Sequence, residues 1–382
     1  MRTTTLWLGS VLLSVIAIVF MVRLWSDEEP TDPGRFTRID NRGDLAAFVD
    51  RQRDGARSRQ FQGEAPRRVP TGVFIQSIGF VSASTVNVTG YLWQRYPPDY
   101  PYEKGITFPE EVNSGDTTIE EQFRQTVVRG ADRHELIGWY FDVTLRQYFD
   151  HSRYPIDVLN VWLRLWSADF NNDENILLVP DFSGYADTDR PRFGLDQDIV
   201  SGEWSITESY FAYRDVPYDT LFGYDMATRA TTEPIVHSEL YFNLGVERKF
   251  ISAFVINLVP LFVVALLLFA ALMTMSRDEN RSSRFGFTTA GFLGTCSALF
   301  FVVLLAHVQV RDAFAGSGLV YIEYFYLVMY LAILFSAINA YLFSLEPGSG
   351  NRPLLWRDNL VAKIAFWPVL SWSMLIISVV IL

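Results

Sequence analysis

The last third of this 382-residue chain contains four apolar segments, each long enough to cross a lipid bilayer. Crossing the hydrocarbon core takes about 20 residues in a helix. The four segments are Phe250–Met275, Phe285–Leu305, Val320–Phe343 and Ile364–Leu382. Because backbone groups left unpaired in lipid are very unfavourable, each segment must be helical. We therefore predict a transmembrane domain of four helices over residues 248–382.

A fifth apolar run, Leu6–Val22, lies near the start of the chain and follows Arg2. A charged start is typical of a secretory signal peptide, but this run is longer than the usual apolar core. No clear small-residue cleavage site follows it. Residues 1–25 are therefore either a signal peptide or a retained N-terminal transmembrane anchor, and the length favours the anchor.

The middle of the chain has a different composition, so the mean hydropathy of +0.14 averages two kinds of segment. Residues 26–247 are polar and aromatic, and they hold 37 acidic and 21 basic residues, a net charge of −16. Nucleic-acid binding depends on basic surfaces that neutralise phosphates. The acidic balance therefore argues against a nucleic acid as partner.

Basic residues predict how the apolar segments are oriented. They cluster in the loop after the first of the four C-terminal segments and in the loop before the last, whereas the loop between the second and third segments has a single arginine. Basic loops stay in the cytoplasm, which places residues 26–247 outside. The single cysteine, Cys296, lies within an apolar segment, so the outer region has no disulfide. These features favour the inner membrane of a bacterium, with the soluble domain on the periplasmic or extracellular side.

Two kinds of pattern divide the outer region. Residues 26–68 are rich in charge, glycine and proline and predict a tether, with one short helix near Asp44–Gln60. Residues 69–247 carry successive runs of aromatic and branched residues with period-two alternation. In Asp157–Trp166, for example, the face of Leu159, Val161, Leu163 and Leu165 is wholly aliphatic and the other is mixed. This pattern predicts an all-β sandwich of the immunoglobulin-like type.

Four features, in order along the chain, carry a resemblance to a known family. A turn motif, Tyr154-Pro155-Ile156-Asp157, lies between two predicted strands. Arg248 precedes the first of the four C-terminal segments, and Pro260 lies within it. Arg284 opens the second segment, and Leu293 follows nine residues later. With a β domain followed by four membrane helices, the chain resembles the pentameric ligand-gated ion channels, the Cys-loop receptor superfamily.

The resemblance covers roughly residues 69–382 and points to the prokaryotic branch. The paired cysteines of animal receptors would fall near Gln147 and Val161, where this chain has none. The resemblance implies a homopentamer in a lipid bilayer, in which a small-molecule or ion ligand bound by the β domain opens a path for a permeant ion. No nucleophile elbow, HExxH, Walker loop or CxxC motif is present, so we do not expect an enzyme.

The resemblance also assigns residues that couple the two domains. In the family, the turn that contains Tyr154, Pro155 and Asp157 rests on the membrane domain. Arg248 is then expected to form a salt bridge with Asp157 or with Asp312 that transmits motion to the pore. The alternative is a static bridge beside an arginine that extends its charge to the interface.

The second apolar segment resembles the family's pore helix. Its first half is rich in small and hydroxyl residues, which are typical of a helix that packs closely or lines water. Steps of four and three residues place one stripe of side chains on a single face. The stripe consists of Gly286, Ala290, Leu293, Ser297, Phe300 and Leu304. Leu293 and Phe300 would form rings that gate by dewetting, and the acidic outer domain would concentrate cations. The alternative is close helix packing without water.

For ligand binding, the resemblance points to aromatic residues at subunit interfaces. The candidates are Trp93, Tyr185, Tyr218, Phe222 and Tyr224, of which the last three lie in Asp215–His237, the predicted capping loop. An aromatic cage would bind an amine by cation–π attraction. The alternative is that these rings belong to the core or rim of the sandwich.

One short run resembles a metal site. Asp169, Asn171 and Asp173 alternate as in the first half of a calcium loop. Glu174 occupies the position where an EF-hand needs glycine, and no glutamate closes the far end. An acidic hairpin loop is therefore favoured over calcium binding, and no other cofactor is expected.

These observations predict a homopentameric ligand-gated channel of a bacterial envelope that conducts cations. The competing hypothesis is a membrane sensor or scaffold of the same fold that does not conduct.

Overall fold

The computed structural model describes residues 2–26, 36–54, 66–112, 115, 117–129, 132–170, 175–188, 190–220, 235–276, 286, 288–345 and 356–382. The chain divides into two compact units. The β-sheet unit comprises Pro30–Phe149 and Val158–Glu247, and the helical unit comprises Met1–Glu29, Asp150–Asp157 and Arg248–Leu382. The segment Asp150–Asp157 thus belongs to the helical unit, although it joins two strands.

The β-sheet unit contains two sheets. One has the strand order β1-β10-β11-β7-β4, and the other has the order β5-β6-β3-β2-β8, with β9 also paired to β2. The strands are β1 (Thr37–Ile39), β2 (Arg67–Ser82), β3 (Thr85–Tyr96), β4 (Ile106–Thr107), β5 (Thr118–Arg129), β6 (Asp132–Arg146), β7 (Val158–Ser167), β8 (Ile176–Pro180), β9 (Leu195–Val200), β10 (Trp204–Tyr218) and β11 (Ile235–Arg248).

Alternation along the strands builds one core that both sheets share. Every second residue of β7 is buried, and these are the aliphatic residues of the face predicted from the sequence: Leu159, Val161, Leu163 and Leu165. Strand β3 shows the same period over its twelve residues. A residue and the second one after it lie on the same side of a strand, so this pattern buries one face. The prediction of a β-rich region with two sheets is confirmed.

Part of the predicted tether belongs to the β-sheet unit. Thr37–Ile39 forms β1, which pairs antiparallel with β10. The helix α2 (Arg42–Asp54) buries Phe48, whose ring stacks on Tyr213 at 3.9 Å. Charge and glycine dominate the composition of residues 26–68, and they conceal these few apolar anchors.

The helical unit contains long apolar helices. The long ones are α1 (Arg2–Trp25), α4 (Val259–Thr274), α5 (Thr289–Ala313), α6 (Tyr321–Leu345) and α7 (Trp356–Ile381). A short helix, α3 (Phe250–Ala253), precedes α4, and a π-helical segment, Phe254–Leu258, joins the two. Five helices within the described residues are long and apolar enough to cross a membrane: the four predicted C-terminal ones and α1. The chain is therefore a membrane protein.

The π-helical segment lies directly before Pro260. Proline has no backbone N–H, so the carbonyl one turn earlier loses its partner. An irregular helical turn is a common response to such a loss. Pro260 itself is the second residue of α4.

The second C-terminal membrane helix begins later than predicted. Thr288 is its N-cap and accepts a hydrogen bond from the Gly291 backbone N–H at 3.0 Å, so the helix starts at Thr289. Gly286 has φ +63°, a left-handed conformation, and lies ahead of the helix. The predicted stripe was therefore wrong to begin at Gly286, because glycine before a capping threonine favours a turn.

Candidate coupling site

Strand register builds the candidate coupling site. Strands β7 and β11 pair antiparallel with Val158 opposite Glu247. The next residue outward on each strand is Asp157 on one and Arg248 on the other, and the Arg248 N–H donates to the Asp157 carbonyl oxygen at 3.2 Å. The pairing therefore places a carboxylate and a guanidinium side by side where both strands leave the sheet.

The two side chains form a buried bidentate pair. Arg248 Nε lies 2.6 Å from Asp157 Oδ1, and Arg248 Nη2 lies 3.1 Å from Oδ2. The Asp157 side chain is 1% exposed and that of Arg248 is 8% exposed. His151 Nδ1 lies 3.0 Å from Asp157 Oδ2 and adds a second partner. Of the two candidates for Arg248, the structure therefore pairs it with Asp157, while Asp312 is exposed at the end of α5.

The pKa of Asp157 reflects these contacts. Burial raises the pKa of the carboxyl, but hydrogen bonds from His151 and Arg248 and the positive charge of Arg248 outweigh burial. The pKa of Asp157 therefore lies below its usual value. Asp157 is thus an ionised carboxylate at neutral pH, and its pairing with the guanidinium is a charge-assisted interaction.

Tyr154 lies in the loop Asp150–Asp157 and connects it to the membrane helices. The Arg248 guanidinium carbon lies 4.8 Å from the centre of the Tyr154 ring, within cation–π distance. The Tyr154 hydroxyl accepts a hydrogen bond from Asn257 Nδ2 at 2.8 Å. Asn257 lies in the π-helical segment, and the Tyr154 ring also packs on Phe314 at 4.5 Å, just after α5. Tyr154 thus contacts two membrane elements at once.

The main chain of this loop also forms hydrogen bonds with other parts of the helical unit. The backbone N–H groups of Tyr321 and Ile322, at the start of α6, donate to the carbonyl oxygens of Ser152 and Tyr154 at 2.8 and 3.3 Å. Arg153 Nη2 donates to the carbonyl oxygen of Leu382 at 3.1 Å. Pro155 lies in this turn next to Tyr154 and is buried. The loop therefore touches α6, the connection after α5, and the residue that follows α7.

A side-chain amide joins the two strands that flank the loop Asp150–Asp157. Gln147 Nε2 donates to the Trp162 carbonyl oxygen, and the Trp162 N–H donates to Gln147 Oε1 at 3.3 Å. Gln147 is buried and lies next to the end of β6. Its side chain thus joins the two strands at the base of the loop without a covalent bond.

The predicted stripe on α5 lies beside the buried face rather than opposite it. The buried face of α5 contains Phe292, Cys296, Leu299, Val303 and Val310. Ala290, Ser297 and Phe300 are exposed, whereas Leu293 and Leu304 are half-buried. The Phe300 ring packs on Tyr330 of α6 at 5.4 Å. At 100° per residue, the centre of the exposed face lies nearer to Gly294, Ser297 and Phe301 than to the predicted stripe as a whole.

The predicted ligand residues fall into two clusters, one in each sheet. Trp93 Nε1 donates to Asp181 Oδ2 at 2.9 Å, and the Trp93 ring packs on Tyr185 at 5.2 Å. The Tyr185 hydroxyl donates to the Val73 carbonyl oxygen at 2.8 Å, so this ring is part of the structural core of the six-stranded sheet. Phe222 and Tyr224 lie outside the described residues.

Tyr218 belongs to the second cluster, which sequence reasoning did not identify. The carboxylate of Glu239 binds Arg164 at 2.7 Å and accepts hydrogen bonds from Tyr218 at 2.6 Å and from Trp166 at 3.0 Å. Arg164 also pairs with Glu110 at 2.9 Å. The available signal was an arginine between two tryptophans on the mixed face of β7.

The calcium hypothesis gains no support from the residues that can be described. Asn171 and Asp173 lie outside them, and Asp169 Oδ2 accepts a hydrogen bond from the Glu103 N–H at 3.1 Å. Within the described ranges, no group of three or more His, Cys, Asp or Glu side chains could hold a metal ion.

A second buried carboxylate, also missed from the sequence, lies in the helical unit. Glu323 Oε2 lies 3.1 Å from Arg311 Nη1, and Glu323 Oε1 lies 3.3 Å from His307 Nε2. The Glu323 side chain is 1% exposed. His307 and Glu323 lie on successive helices, and no spacing rule connects them.

A scan against protein-family models gives no match, and a comparison with curated proteins gives no significant match.

Proposed function

We propose that this chain is the subunit of a ligand-gated ion channel that resembles the prokaryotic pentameric ligand-gated channels. It assembles as a homopentamer in the bacterial inner membrane, with the β-sheet unit on the periplasmic side. Ligand binding to the β-sheet unit shifts the equilibrium between closed and open states of a pore lined by α5. The permeant ions are cations, because the acidic outer region concentrates them.

The observation that carries the proposal is the buried Asp157–Arg248 pair. Asp157 immediately precedes β7 and Arg248 is the last residue of β11, and within the helical unit Tyr154 links the pair to Asn257 and Phe314. A displacement of β7 or β11 would therefore act on the membrane helices through a paired, buried element. Coupling between two sites requires a contiguous physical link of this kind.

The composition of α5 supports a pore-lining role. Its buried side is apolar, whereas the exposed side of its first half carries the small residues Ala290, Gly294 and Ser297. A helix face against lipid has no need of small or hydroxyl residues. A face directed at a neighbouring copy or at water does, which is the arrangement that a ring of α5 helices creates.

The two aromatic clusters suggest how a ligand would bind. Trp93 and Tyr218 lie in different sheets of one chain, and in this proposal the cage that uses both forms between neighbouring copies. Beside Tyr218 and Trp166, the two carboxylates of Glu239 and Glu110 exceed the single positive charge of Arg164. An amine cation is the ligand chemistry that suits such a site.

Conduction is the decisive test. Purified protein reconstituted in planar bilayers should pass current when small amines are added, and replacing sodium by a large organic cation should reduce it. Asp157→Asn should abolish the response while the assembled mass stays unchanged. The exposed Arg190→Ala variant, which removes a surface ion pair with Asp187, is the control and should respond normally.

Assembled protein that binds an amine without passing current would contradict the channel proposal. It would favour the non-conducting sensor or scaffold instead.

Cysteine accessibility tests which face of α5 meets water. The single native cysteine is replaced first, as Cys296→Ser, and Ser297→Cys is then compared with Val302→Cys. Both native side chains are exposed, but they lie about 140° apart around the helix. A charged thiosulfonate reagent should block current only in the Ser297→Cys channel. Equal reaction at both positions would contradict the assignment of the pore face.

A further inference from the structure

The N-terminal helix α1 has two chemically different sides. Ser10, Ser14 and Ala17 are buried, and their spacing of four and three residues places them on one face. The other sides expose large aliphatic residues, for example Leu8, which is 68% exposed. A signal peptide needs only an apolar core. A face of small residues is typical of membrane helices that pack closely against a partner.

Hydrogen bonds fix α1 along α7. Ser10 Oγ donates to the Ile364 carbonyl oxygen at 2.6 Å. From the other side, Trp372 Nε1 donates to the Leu13 carbonyl oxygen at 3.2 Å. The order of these contacts along both helices makes them parallel. Polar contacts between helices are favourable in lipid because no water competes for the donors.

The end of α1 reaches the start of α6. Trp25 Nε1 donates to the Tyr321 hydroxyl at 2.8 Å, and the same hydroxyl forms a hydrogen bond with Ser378 of α7. The Trp25 ring also packs on Phe250 at 5.5 Å and on Phe325 at 6.4 Å. One indole therefore contacts two other helices, α3 and α6.

We propose that residues 2–25 remain on the mature protein as a fifth membrane helix, docked on α7, and that Trp25 positions Tyr321. The consequence reaches the candidate coupling site, because the Tyr321 backbone N–H holds the Ser152 carbonyl oxygen at 2.8 Å. The inference concerns helix packing alone and holds whether or not the protein conducts.

Intact-mass measurement of the purified full-length protein tests retention. The expected mass is that of a chain which still contains residues 2–25. A mass that corresponds to cleavage after this segment would overturn the proposal.

Disulfide crosslinking tests docking in the membrane. In a Cys296→Ser background, Ser10→Cys with Ile364→Cys should form a crosslink, since the Ser10 hydroxyl touches the Ile364 backbone. Leu8→Cys with Ile364→Cys is the matched control, because Leu8 points away from the bundle. Crosslinking that is equal in both pairs, or absent from both, would overturn the docking.

A double-mutant cycle tests the contact between Trp25 and Tyr321. Trp25→Phe and Tyr321→Phe should each lower Tm by about 2–4 °C, and the double variant should fall no further than the larger single effect. Trp372→Phe removes a different contact of α1 and should add to Tyr321→Phe. Additive effects of Trp25→Phe and Tyr321→Phe would overturn the positioning role.

Discussion

Removing the Asp157 carboxylate should destabilise the protein strongly, and the structure sets the size of the effect. Asp157→Asn leaves the buried Arg248 guanidinium without its two short contacts, at 2.6 and 3.1 Å. Breaking one side of a buried ion pair costs about 3–5 kcal/mol, because the remaining charge is uncompensated. At about 2 °C per kcal/mol for a large chain, Tm should fall by about 6–10 °C.

The double variant separates the pair from its surroundings. Arg248→Met alone leaves Asp157 with His151 and should also lower Tm. Asp157→Asn combined with Arg248→Met should cost much less than the sum, because no buried charge is then left unpaired. Thermal melting in detergent measures all four proteins. Arg190→Ala, in an exposed pair, should change stability by about 0–1 kcal/mol.

The dependence on pH gives an independent check. The folded-state pKa of Asp157 is lowered from the unfolded value of 3.8. Its stabilising contribution is therefore complete above that value and is lost as pH falls through the lowered pKa. The difference in Tm between wild type and Asp157→Asn should shrink as pH falls below about 4. An unchanged Tm in Asp157→Asn at neutral pH, or strictly additive single effects, would refute the reasoning.

Substitutions at three further positions test the β-sheet unit, each by thermal melting. Gln147→Ala should cost about 1–3 kcal/mol, because it leaves Trp162 backbone groups unpaired, and Gln147→Glu should not restore the lost donor. Gly72→Ala should displace the Trp93 indole and lower Tm, since the added carbon would lie 2.1 Å from that ring. Burial raises the pKa of Glu110 despite its pairing with an arginine. The contribution of Glu110 to folding stability is therefore present at low pH and is lost as pH rises through the raised pKa. Glu110→Gln should remove this dependence of Tm on pH.

The parts of the fold that the sequence predicted are those with local patterns. The aliphatic face of β7 and the apolar membrane helices follow from periodicity and length alone. Residues 37–54 were assigned to a tether because their composition is polar, yet Ile39 and Phe48 enter the core. A few apolar side chains suffice to anchor a short strand or helix, and composition averages them away.

The candidate site could be predicted only in part, for a related reason. The Tyr154–Asp157 turn and Arg248 were identified from a resemblance, and the register of β7 and β11 explains why they meet. Glu239 and Glu323 were missed because their partners lie on other strands or helices. A buried carboxylate is recognised by what surrounds it, and long-range pairing leaves no mark in local spacing.

The connection between α5 and α6 is the part of the helical unit to which a movement of the loop Asp150–Asp157 would be transmitted. Glu323 binds Arg311 at 3.1 Å and accepts from the Val320 N–H at 2.8 Å, while Arg311 Nη2 donates to the Phe314 carbonyl oxygen at 3.1 Å. These bonds join the connection to the end of α5 and to the start of α6, so the three parts are held together. Because the Tyr154 ring packs on Phe314, a displacement of the loop cannot be absorbed by a slack connection. We therefore expect such a displacement to move the end of α5 and the start of α6 together, which the proposed channel function would use for gating.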